Sequence, residues 1–211
     1  MSAEDPAEQT LAPLRELLAI SQTGLTFATD QFDRERYTRV RELVEEMLRM
    51  PRPANAQFDP SVMLGKESGY ATPKVDVRGA AFRDGRVLMV RERSDGLWTL
   101  PGGWADVNQS PAEAIVKEVR EESGFESKVI KVAALFDRRR HPHPAQFHHA
   151  YKVFFLCELT GGNAEVSNET DGVDFFAEDA LPPLSVQRVT APQIQLMFRH
   201  QREPGIPTDF D

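Results

Sequence analysis

The chain has 211 residues, and its 25 Lys and Arg residues against 33 Asp and Glu residues give a formal net charge of −8. This length allows one large domain, or one ordinary domain with an appendage, to bury a hydrophobic core. A composition of 40% hydrophobic and 27% charged residues is typical of a globular protein and excludes a disordered or fibrous chain. The acidic excess argues against binding of nucleic acid through bulk positive charge, but it is compatible with an enzyme that collects divalent cations.

The single cysteine, Cys157, lies in an apolar run and cannot form an intramolecular disulfide, so we expect a buried, unreactive thiol. The first residues lack the basic start and apolar stretch of a signal peptide. No apolar run of the sequence reaches the ~18–20 residues that a membrane span requires. These features predict a cytoplasmic protein.

Two amphipathic helices are predicted in the N-terminal part, over residues 11–20 and 31–50, because apolar residues recur there at separations of three and four. Thr23-Gly24 is predicted to end the first helix and Asp30 to cap the second. Two or three helices cannot bury these apolar faces alone, so they must pack on the rest of the chain or on a second copy.

A stretch rich in Pro, Gly and Ser follows Met50 and is typical of a linker. From Lys74 the pattern changes to strands, and Asp84-Gly85 predicts a hairpin between the first two. The predicted strands are residues 75–82, 86–92, 98–100, 128–136, 148–159 and 173–176, and the predicted helices are residues 111–123 and 190–201. Helices mixed with hairpins favour an α+β sandwich over a wound parallel sheet.

The helix at residues 111–123 has clear boundary signals, with Ser110 as its N-cap, Pro111 at its first position and Gly124 just past its end. Before it, Asn108 suits a tight turn, because Asn tolerates a positive φ.

Three carboxylates lie on one face of this helix, because Glu118, Glu121 and Glu122 are separated by three and four residues. They repel one another in the last turns, where the helix dipole also disfavours negative charge. A divalent cation would remove this conflict, since Mg²⁺ and Mn²⁺ bind carboxylate oxygens and share them with phosphate. The alternative is a solvated face screened by Lys117 and Arg120, which is the common outcome for a bare Glu-x-x-Glu-Glu.

The surrounding residues resemble the Nudix box, G-x5-E-x7-R-E-U-x-E-E-x-G-U with U aliphatic or aromatic, the signature of Nudix hydrolases. Seven of its nine specified positions match: Gly103, Glu118, Val119, Glu121, Glu122, Gly124 and Phe125. Gln109 replaces the first Glu, and Lys117 replaces the Arg, which keeps the charge but loses the planar fork that holds carboxylates. The motif is long and its spacing is fixed, so it is far more specific than a lone Gly-rich loop.

The resemblance implies a Nudix α/β/α sandwich with a mixed sheet, preceded by a small all-α domain. Segments of both parts, among them VDVRGA, LWTLPGGWADVN and LPPLS, are similar to the subfamily that includes bacterial ADP-ribose and CDP-choline pyrophosphatases. We therefore divide the chain into a helical domain at residues 1–55, a linker at 56–73 and a Nudix domain at 74–211. In that subfamily the helical domain helps to form a homodimer, which agrees with the uncovered apolar faces.

The resemblance also implies roles for the box residues. Nudix enzymes hydrolyse nucleoside diphosphates linked to another moiety, using Mg²⁺ or Mn²⁺ to draw charge from the pyrophosphate and to activate water. On this chain Glu118 and Glu122 would be the main metal ligands, with Glu121 close behind and a backbone carbonyl at Gly102 or Gly103 contributing.

A further Glu from a loop downstream of the box often acts in this family as base or extra ligand. Glu169 is the candidate here, ahead of Glu165, and an ordinary loop carboxylate is the alternative. We therefore predict Glu121, Glu122 and Glu169 as the catalytic carboxylates.

Candidates for substrate binding are Arg78, Arg91, Asp106, Arg138, Arg140 and His143. The two arginines of the first strands suit bidentate contact with phosphate, although simple surface arginines would give the same pattern. Asp106 would orient the glycine loop or a substrate hydroxyl.

The run from Asp137 to Pro144 predicts a local positive loop for a leaving phosphate or an RNA end, with an exposed basic turn as the alternative. A zinc site that adds His148 and His149 is disfavoured, because the spacing is irregular and no cysteine accompanies it. Aromatic candidates for base stacking are Trp98, Trp104 and Phe147, of which Trp98 is better explained as a core residue.

The favoured function is therefore metal-dependent hydrolysis of a nucleoside diphosphate linked to another moiety. A nucleotide-sensing binding module is the first alternative, but degenerate sensors usually lose box glutamates and this chain keeps all three. Action on RNA ends is the second, suggested by the arginine run and weakened by the acidic total.

Overall fold

The computed structural model describes residues 6–50 and 68–211, so most of the predicted linker lies outside it. The chain divides into two compact units. The first consists of the described parts of Met1–Lys74 with Ala145–His149, and the second of Val75–Pro144 with Ala150–Asp211. Within the two described ranges, no helix has the length and apolar character that crossing a membrane requires.

Two helices, α1 (Pro6–Phe27) and α2 (Gln31–Arg49), form the first unit. Asp30 caps α2 as predicted, because its carboxylate accepts hydrogen bonds from the backbone amides of Phe32 and Asp33.

The predicted end of the first helix at Thr23-Gly24 is wrong, since α1 continues to Phe27. Gly24 does not end the helix, but it allows close packing between α1 and α2. A Cβ at Gly24 would lie 2.5 Å from ring atoms of Tyr37, so the ring of Tyr37 reaches the α1 backbone only because this residue has no side chain.

A small core holds the two helices together and includes a residue from far along the chain. Its buried members are Leu11, Leu14, Val44, Leu48 and Phe147. Arg15 adds hydrogen bonds from its guanidinium to the carbonyls of Gln146 and Phe147. Residues Ala145–His149, which sequence reasoning assigned to the Nudix domain, therefore pack with the helices.

Replacing Phe147 with Ala should destabilise the helical unit by about 3–5 kcal/mol, because removal of a large buried ring leaves a cavity between α1 and α2. Chemical denaturation of the full chain, followed by far-UV circular dichroism, measures the change. Phe210→Ala is the matched control, because Phe210 is 76% exposed and its loss should cost little. Equal losses in the two variants would contradict the assignment of Phe147 to this core.

The second unit contains a mixed sheet and two helices. The strands are β1 (Lys74–Arg83), β2 (Arg86–Glu92), β3 (Trp98–Thr99), β4 (Phe125–Asp137), β5 (Ala150–Gly162), β6 (Thr170–Phe176) and β7 (Asp209–Phe210), and the helices are α3 (Pro111–Ser123) and α4 (Ala191–Arg202). The strand order is β3-β2-β1-β5-β4-β7, and β6 pairs with β2. β7 runs parallel to β4, whereas β5 runs antiparallel to it.

Each face of the sheet carries one helix and one hydrophobic core. Ala114, Ile115 and Val119 of α3 pack on one face, and Ile194, Met197 and Phe198 of α4 pack on the other. The predicted α+β sandwich with an α/β/α arrangement is confirmed. Cys157 lies in the core beneath α3, which confirms that the cysteine is buried, and burial raises the pKa of its thiol to about 12.

Most elements of this unit lie where the sequence predicted them. The hairpin turn is confirmed, because Asp84 and Gly85 both adopt positive φ, at 51° and 73°. Asn108 also has the expected positive φ, at 65°. The two-residue strand β7 was not predicted, because a pair of residues carries no detectable periodicity.

Candidate active site

Helix α3 is fixed at both ends by the predicted signals. The Ser110 hydroxyl accepts a hydrogen bond from the Glu113 amide at 3.2 Å, and the Glu113 carboxylate accepts one from the Ser110 amide at 2.8 Å. Gly124 ends the helix with a φ of 75°. Because Ile115 and Val119 are buried against the sheet, the rotation of the helix about its axis is fixed, and so is the direction of its carboxylates.

The central contact of the site joins α3 to the loop before it. Glu122 is only 5% exposed, and its Oε2 accepts a hydrogen bond from the Gly102 amide at 2.8 Å. Gly102 has a φ of 139°, and a Cβ there would lie 2.0 Å from the carbonyl oxygen of Val77, so no other residue fits. A Cβ at Gly103 would lie 3.5 Å from both carboxylate oxygens of Glu118. Both predicted ligands therefore border the glycine loop.

Burial disfavours the ionised form of both carboxyl groups, those of Glu118 and Glu122. Burial raises the pKa of Glu122 to about 8, although Arg78 and the Gly102 amide act in the opposite direction. Burial also raises the pKa of Glu118. A divalent cation at these oxygens would favour the ionised form, and oxygen ligands are those that Mg²⁺ and Mn²⁺ prefer, so the residues present fit such an ion.

The side chains alone do not form a closed cage. Among the residues that the structure describes, no group of three His, Cys, Asp or Glu side chains is placed to hold a metal ion. Mg²⁺ is commonly held by one or two protein carboxylates and completed by water and by phosphate oxygens of a substrate. Gly103 already uses its carbonyl to accept the Val77 amide at 2.8 Å, which leaves the Gly102 carbonyl as the better backbone candidate.

Glu92 is a site carboxylate that sequence reasoning missed. It ends β2, is 6% exposed and pairs with Arg188, whose Nε lies 3.0 Å from its Oε1. Burial raises its pKa, and its charge contributes to the raised pKa of Glu122. The available signal was a Glu at the end of the apolar run RVLMVRE.

The loop carboxylates Glu169 and Glu165 lie in different places. The negative charge of Glu169 contributes to the raised pKa of both Glu118 and Glu92, so its exposed carboxylate is within electrostatic reach of the site. Glu165 instead lies beside the end of α3, where its amide donates to the Ser123 carbonyl at 2.9 Å. This placement favours Glu169.

Lys117, which replaces the box Arg, connects the loop to the helix. Its Nζ lies 2.9 Å from Asp106 Oδ2 and 3.8 Å from Glu121 Oε2. Asp106 therefore contacts the lysine of α3, in keeping with a role in orienting the loop. The Glu121 side chain is 51% exposed, whereas Glu118 and Glu122 border the glycines.

The two strand arginines differ sharply. Arg78 is 4% exposed and makes a bidentate ion pair with Asp76, so it is not the simple surface arginine that was the alternative to a phosphate contact, and its guanidinium is engaged inside the protein. The sequence could not reveal this, because the pairing depends on strand geometry. Arg91 is 42% exposed, lies 2.6 Å from Asp171 and stands 5.9 Å above the ring of Trp98, so it stays accessible to a ligand.

In the predicted basic loop, two of the three candidate contacts make hydrogen bonds inside the protein. Arg138 is buried and donates to Gln187 Oε1 at 2.9 Å. His143 lies 2.8 Å from the Val186 carbonyl, and burial lowers its pKa to about 3, so its ring is neutral. Of the three predicted contacts in this run, only Arg140 is exposed, and the neighbouring Arg139 is exposed but pairs with Asp137.

The three aromatic candidates for base stacking differ in their accessibility. Phe147 lies in the helical core and is not available for stacking on a base. Trp98 packs edge-on against Phe176 with ring centroids 4.7 Å apart, as expected of a core residue. Trp104, next to the glycines, is 45% exposed and remains a candidate.

Helix α3 carries the carboxylates of the Nudix box beside the glycine loop, and it packs on an α/β/α sandwich. This combination is that of a Nudix-type hydrolase. The chain belongs to the Nudix family, since the NUDIX domain model matches residues 73–197. A second model, described as the UDP-X-like N-terminal oligomerisation domain, matches residues 8–55. The protein is thus a Nudix pyrophosphohydrolase with an added helical domain.

Two of the relatives match nearly the whole chain, and a third matches two thirds of it. YjhB of Bacillus subtilis, provisionally named an ADP-ribose pyrophosphatase, is 44% identical over 193 residues, which cover 92% of each chain. A crystal structure of a UDP-X diphosphatase is 36% identical with a TM-score of 0.63 and covers 97% of this chain and 99% of that one. An ADP-ribose pyrophosphatase from Streptococcus suis is 42% identical with a TM-score of 0.62, and covers 66% of this chain and all of that one.

The raised pKa of Glu122 predicts a pH dependence of the metal-free protein. Its folded pKa of about 8 lies above the ordinary 4.5, so its contribution to stability is fully present below about pH 4.5 and is lost as the pH rises through about 8. Between pH 5 and 8 in EDTA, the wild type should therefore lose up to a few kcal/mol relative to Glu122→Gln, as measured by urea denaturation.

Glu158→Gln is the control for this measurement, because Glu158 is a half-exposed carboxylate paired with Lys128. It should show the same pH dependence as the wild type. Parallel curves for the wild type and Glu122→Gln would refute the raised pKa.

Proposed function

We propose that the protein hydrolyses the pyrophosphate of a nucleoside diphosphate linked to another moiety, giving a nucleoside monophosphate and a phosphorylated second product. ADP-ribose, CDP-choline and UDP-linked sugars are the substrates to test. The observation that carries the proposal is the buried Glu122, held on the Gly102 amide beside Glu118. Relatives that match nearly the whole chain and are named for ADP-ribose or UDP-X support this substrate class.

In this proposal Glu118 and Glu122 hold Mg²⁺ or Mn²⁺, with Glu121 and the Gly102 carbonyl as further ligand candidates. The ion would draw charge from the pyrophosphate and lower the pKa of the attacking water. Glu169 would accept a proton from that water, because its exposed carboxylate lies within electrostatic reach of Glu118. Arg91 and Arg140 would contact phosphate groups, and Trp104 would stack on the base.

Replacing Glu122 with Gln should reduce kcat by roughly 100-fold or more, equal to about 2.7 kcal/mol of lost transition-state stabilisation, because a neutral amide binds the cation far more weakly than a carboxylate. The assay incubates ADP-ribose, CDP-choline and UDP-glucose with Mg²⁺ or Mn²⁺ and follows the products by phosphorus NMR. Glu158→Gln should keep wild-type activity. Full activity of Glu122→Gln would refute the ligand assignment, and tight binding without cleavage by the wild type would favour a sensor.

We also propose that the helical unit forms a homodimer. Its described surface exposes several large apolar side chains, which a second copy would cover: Leu17, Ile20, Phe27, Phe32 and Tyr70. The match to a model described as an oligomerisation domain supports this assembly.

Replacing Ile20 with Asp should shift the protein from dimer to monomer, because a charge in an apolar interface is costly to bury. Sedimentation equilibrium should give a mass about twice 23.8 kDa for the wild type and close to 23.8 kDa for the variant. Val166→Asp, at a residue of the other unit that is 52% exposed, should remain dimeric. A monomeric wild type at micromolar concentration would contradict the dimer.

A further inference from the structure

A chain of buried polar contacts runs from strand β5 to the glycine loop. Lys152 Nζ donates to Asp76 Oδ1 at 2.7 Å. Arg78 donates through Nε and Nη2 to the two oxygens of the same carboxylate, both at 2.9 Å. The remaining arm of the guanidinium, Nη1, donates to the carbonyl of Leu100 at 3.3 Å.

These three side chains carry charges that are almost inaccessible to water. Their exposed fractions are 1% for Lys152, 6% for Asp76 and 4% for Arg78. Burial opposes ionisation, yet the two cations lower the pKa of Asp76 to about 2. Burial lowers the pKa of Lys152 to about 8, although Asp76 acts in the opposite direction. Apolar residues of similar volume often give equal or greater stability than a buried ion cluster, so stability alone does not explain this one.

The cluster lies where β1 supports the loop. Three consecutive residues of β1 donate to loop carbonyls: the Val77 amide to Gly103 at 2.8 Å, the Arg78 side chain to Leu100 and the Gly79 amide to Pro101 at 2.9 Å. The Gly102 amide, which lies among them, donates instead to Glu122. The loop is therefore held by its carbonyls on one side and by one amide on the other.

We propose that Arg78, clamped by Asp76 and Lys152, is a positioning residue for hydrolysis: it fixes the Leu100 carbonyl, and the Gly102 amide consequently holds Glu122 in its working orientation. This inference rests on the proposed function, because the working orientation is that of a cation ligand. In this proposal Arg78 acts through the loop and not on the phosphate, since its Nε, Nη1 and Nη2 each already donate a hydrogen bond inside the protein.

Arg78→Lys tests the clamp directly. Lysine keeps the charge but has no planar fork, so one ammonium group cannot bind both carboxylate oxygens of Asp76 and the Leu100 carbonyl. We expect kcat to fall roughly 10- to 100-fold while KM changes less than about threefold, because the catalytic carboxylate is misplaced and substrate contacts are kept. Hydrogen exchange of the Gly102 amide, measured by NMR without metal or substrate, should accelerate at least about tenfold.

Two further variants separate positioning from general stability. Lys152→Met keeps the pair of Arg78 and Asp76, and should give a smaller change in both kcat and Gly102 exchange. Met197→Ala removes a fully buried side chain of the core beneath α4 and should lower stability by about 2–5 kcal/mol while kcat stays within about twofold. If Arg78→Lys does not fold, the hydrogen exchange of the Gly102 amide in Lys152→Met tests the proposal instead: faster exchange than in the wild type supports it, and unchanged exchange contradicts it.

Three results would overturn the proposal. A rise in KM with unchanged kcat and unchanged Gly102 exchange would make Arg78 a substrate contact. If Met197→Ala and Arg78→Lys lower stability equally and also lower kcat equally, the role of the cluster is structural and not one of positioning. Equal protection of the Gly102 amide from hydrogen exchange in all variants would refute the role of Arg78 in holding the loop. This exchange measurement does not require activity. If the wild type hydrolyses no nucleoside diphosphate, only the proposed function is contradicted.

Discussion

The hydrogen bond from the Gly102 amide to Glu122 is the contact on which the rest of the site depends. A carboxyl group buried to this degree must have a partner, because an unpaired polar group in the interior costs about 1–3 kcal/mol. Gly102 meets the need only in a backbone conformation, with φ at 139°, that excludes a side chain. The same loop brings Gly103 beside Glu118, so the two glycines and the two carboxylates meet at one place.

The electrostatics of the site give a physical reason for a divalent cation at the carboxylates of the Nudix box. Burial raises the pKa values of Glu118 and Glu122, and Arg78, whose charge opposes both shifts, is already paired with Asp76. Glu92 also has a raised pKa, but it has its own partner in Arg188. An ion that arrives with a pyrophosphate would favour the ionised form of Glu118 and Glu122, and its binding would then depend on the substrate.

The sequence predicted the parts of the site that depend on local patterns. The cap at Ser110 and the end at Gly124 are properties of neighbouring residues, and they identified the bounds of α3 correctly. Of the three glutamates at three-and-four spacing, Glu118 and Glu122 border the glycine loop, whereas Glu121 is half exposed. The hairpin at Asp84-Gly85 was predictable for the same reason, since the φ requirement of a turn is local.

The remaining features depend on contacts between distant residues, which no periodicity records. Arg78 is buried because Lys152, 74 positions later, shares its carboxylate partner. Phe147 follows a basic run yet completes the core of two helices more than ninety residues earlier in the chain. Gly24 resembled a helix stop, but the ring of Tyr37 gives it a packing role.

The most direct measurement of the central claim is the position of a bound ion. Crystals grown with Mn²⁺ and a non-hydrolysable ADP-ribose analogue, measured at the manganese absorption edge, should show an anomalous peak within about 2.0–2.3 Å of oxygens of Glu118 and Glu122. The Gly102 amide should still donate to Glu122 in that complex. A peak located only elsewhere, with both carboxylates free of metal, would contradict the account.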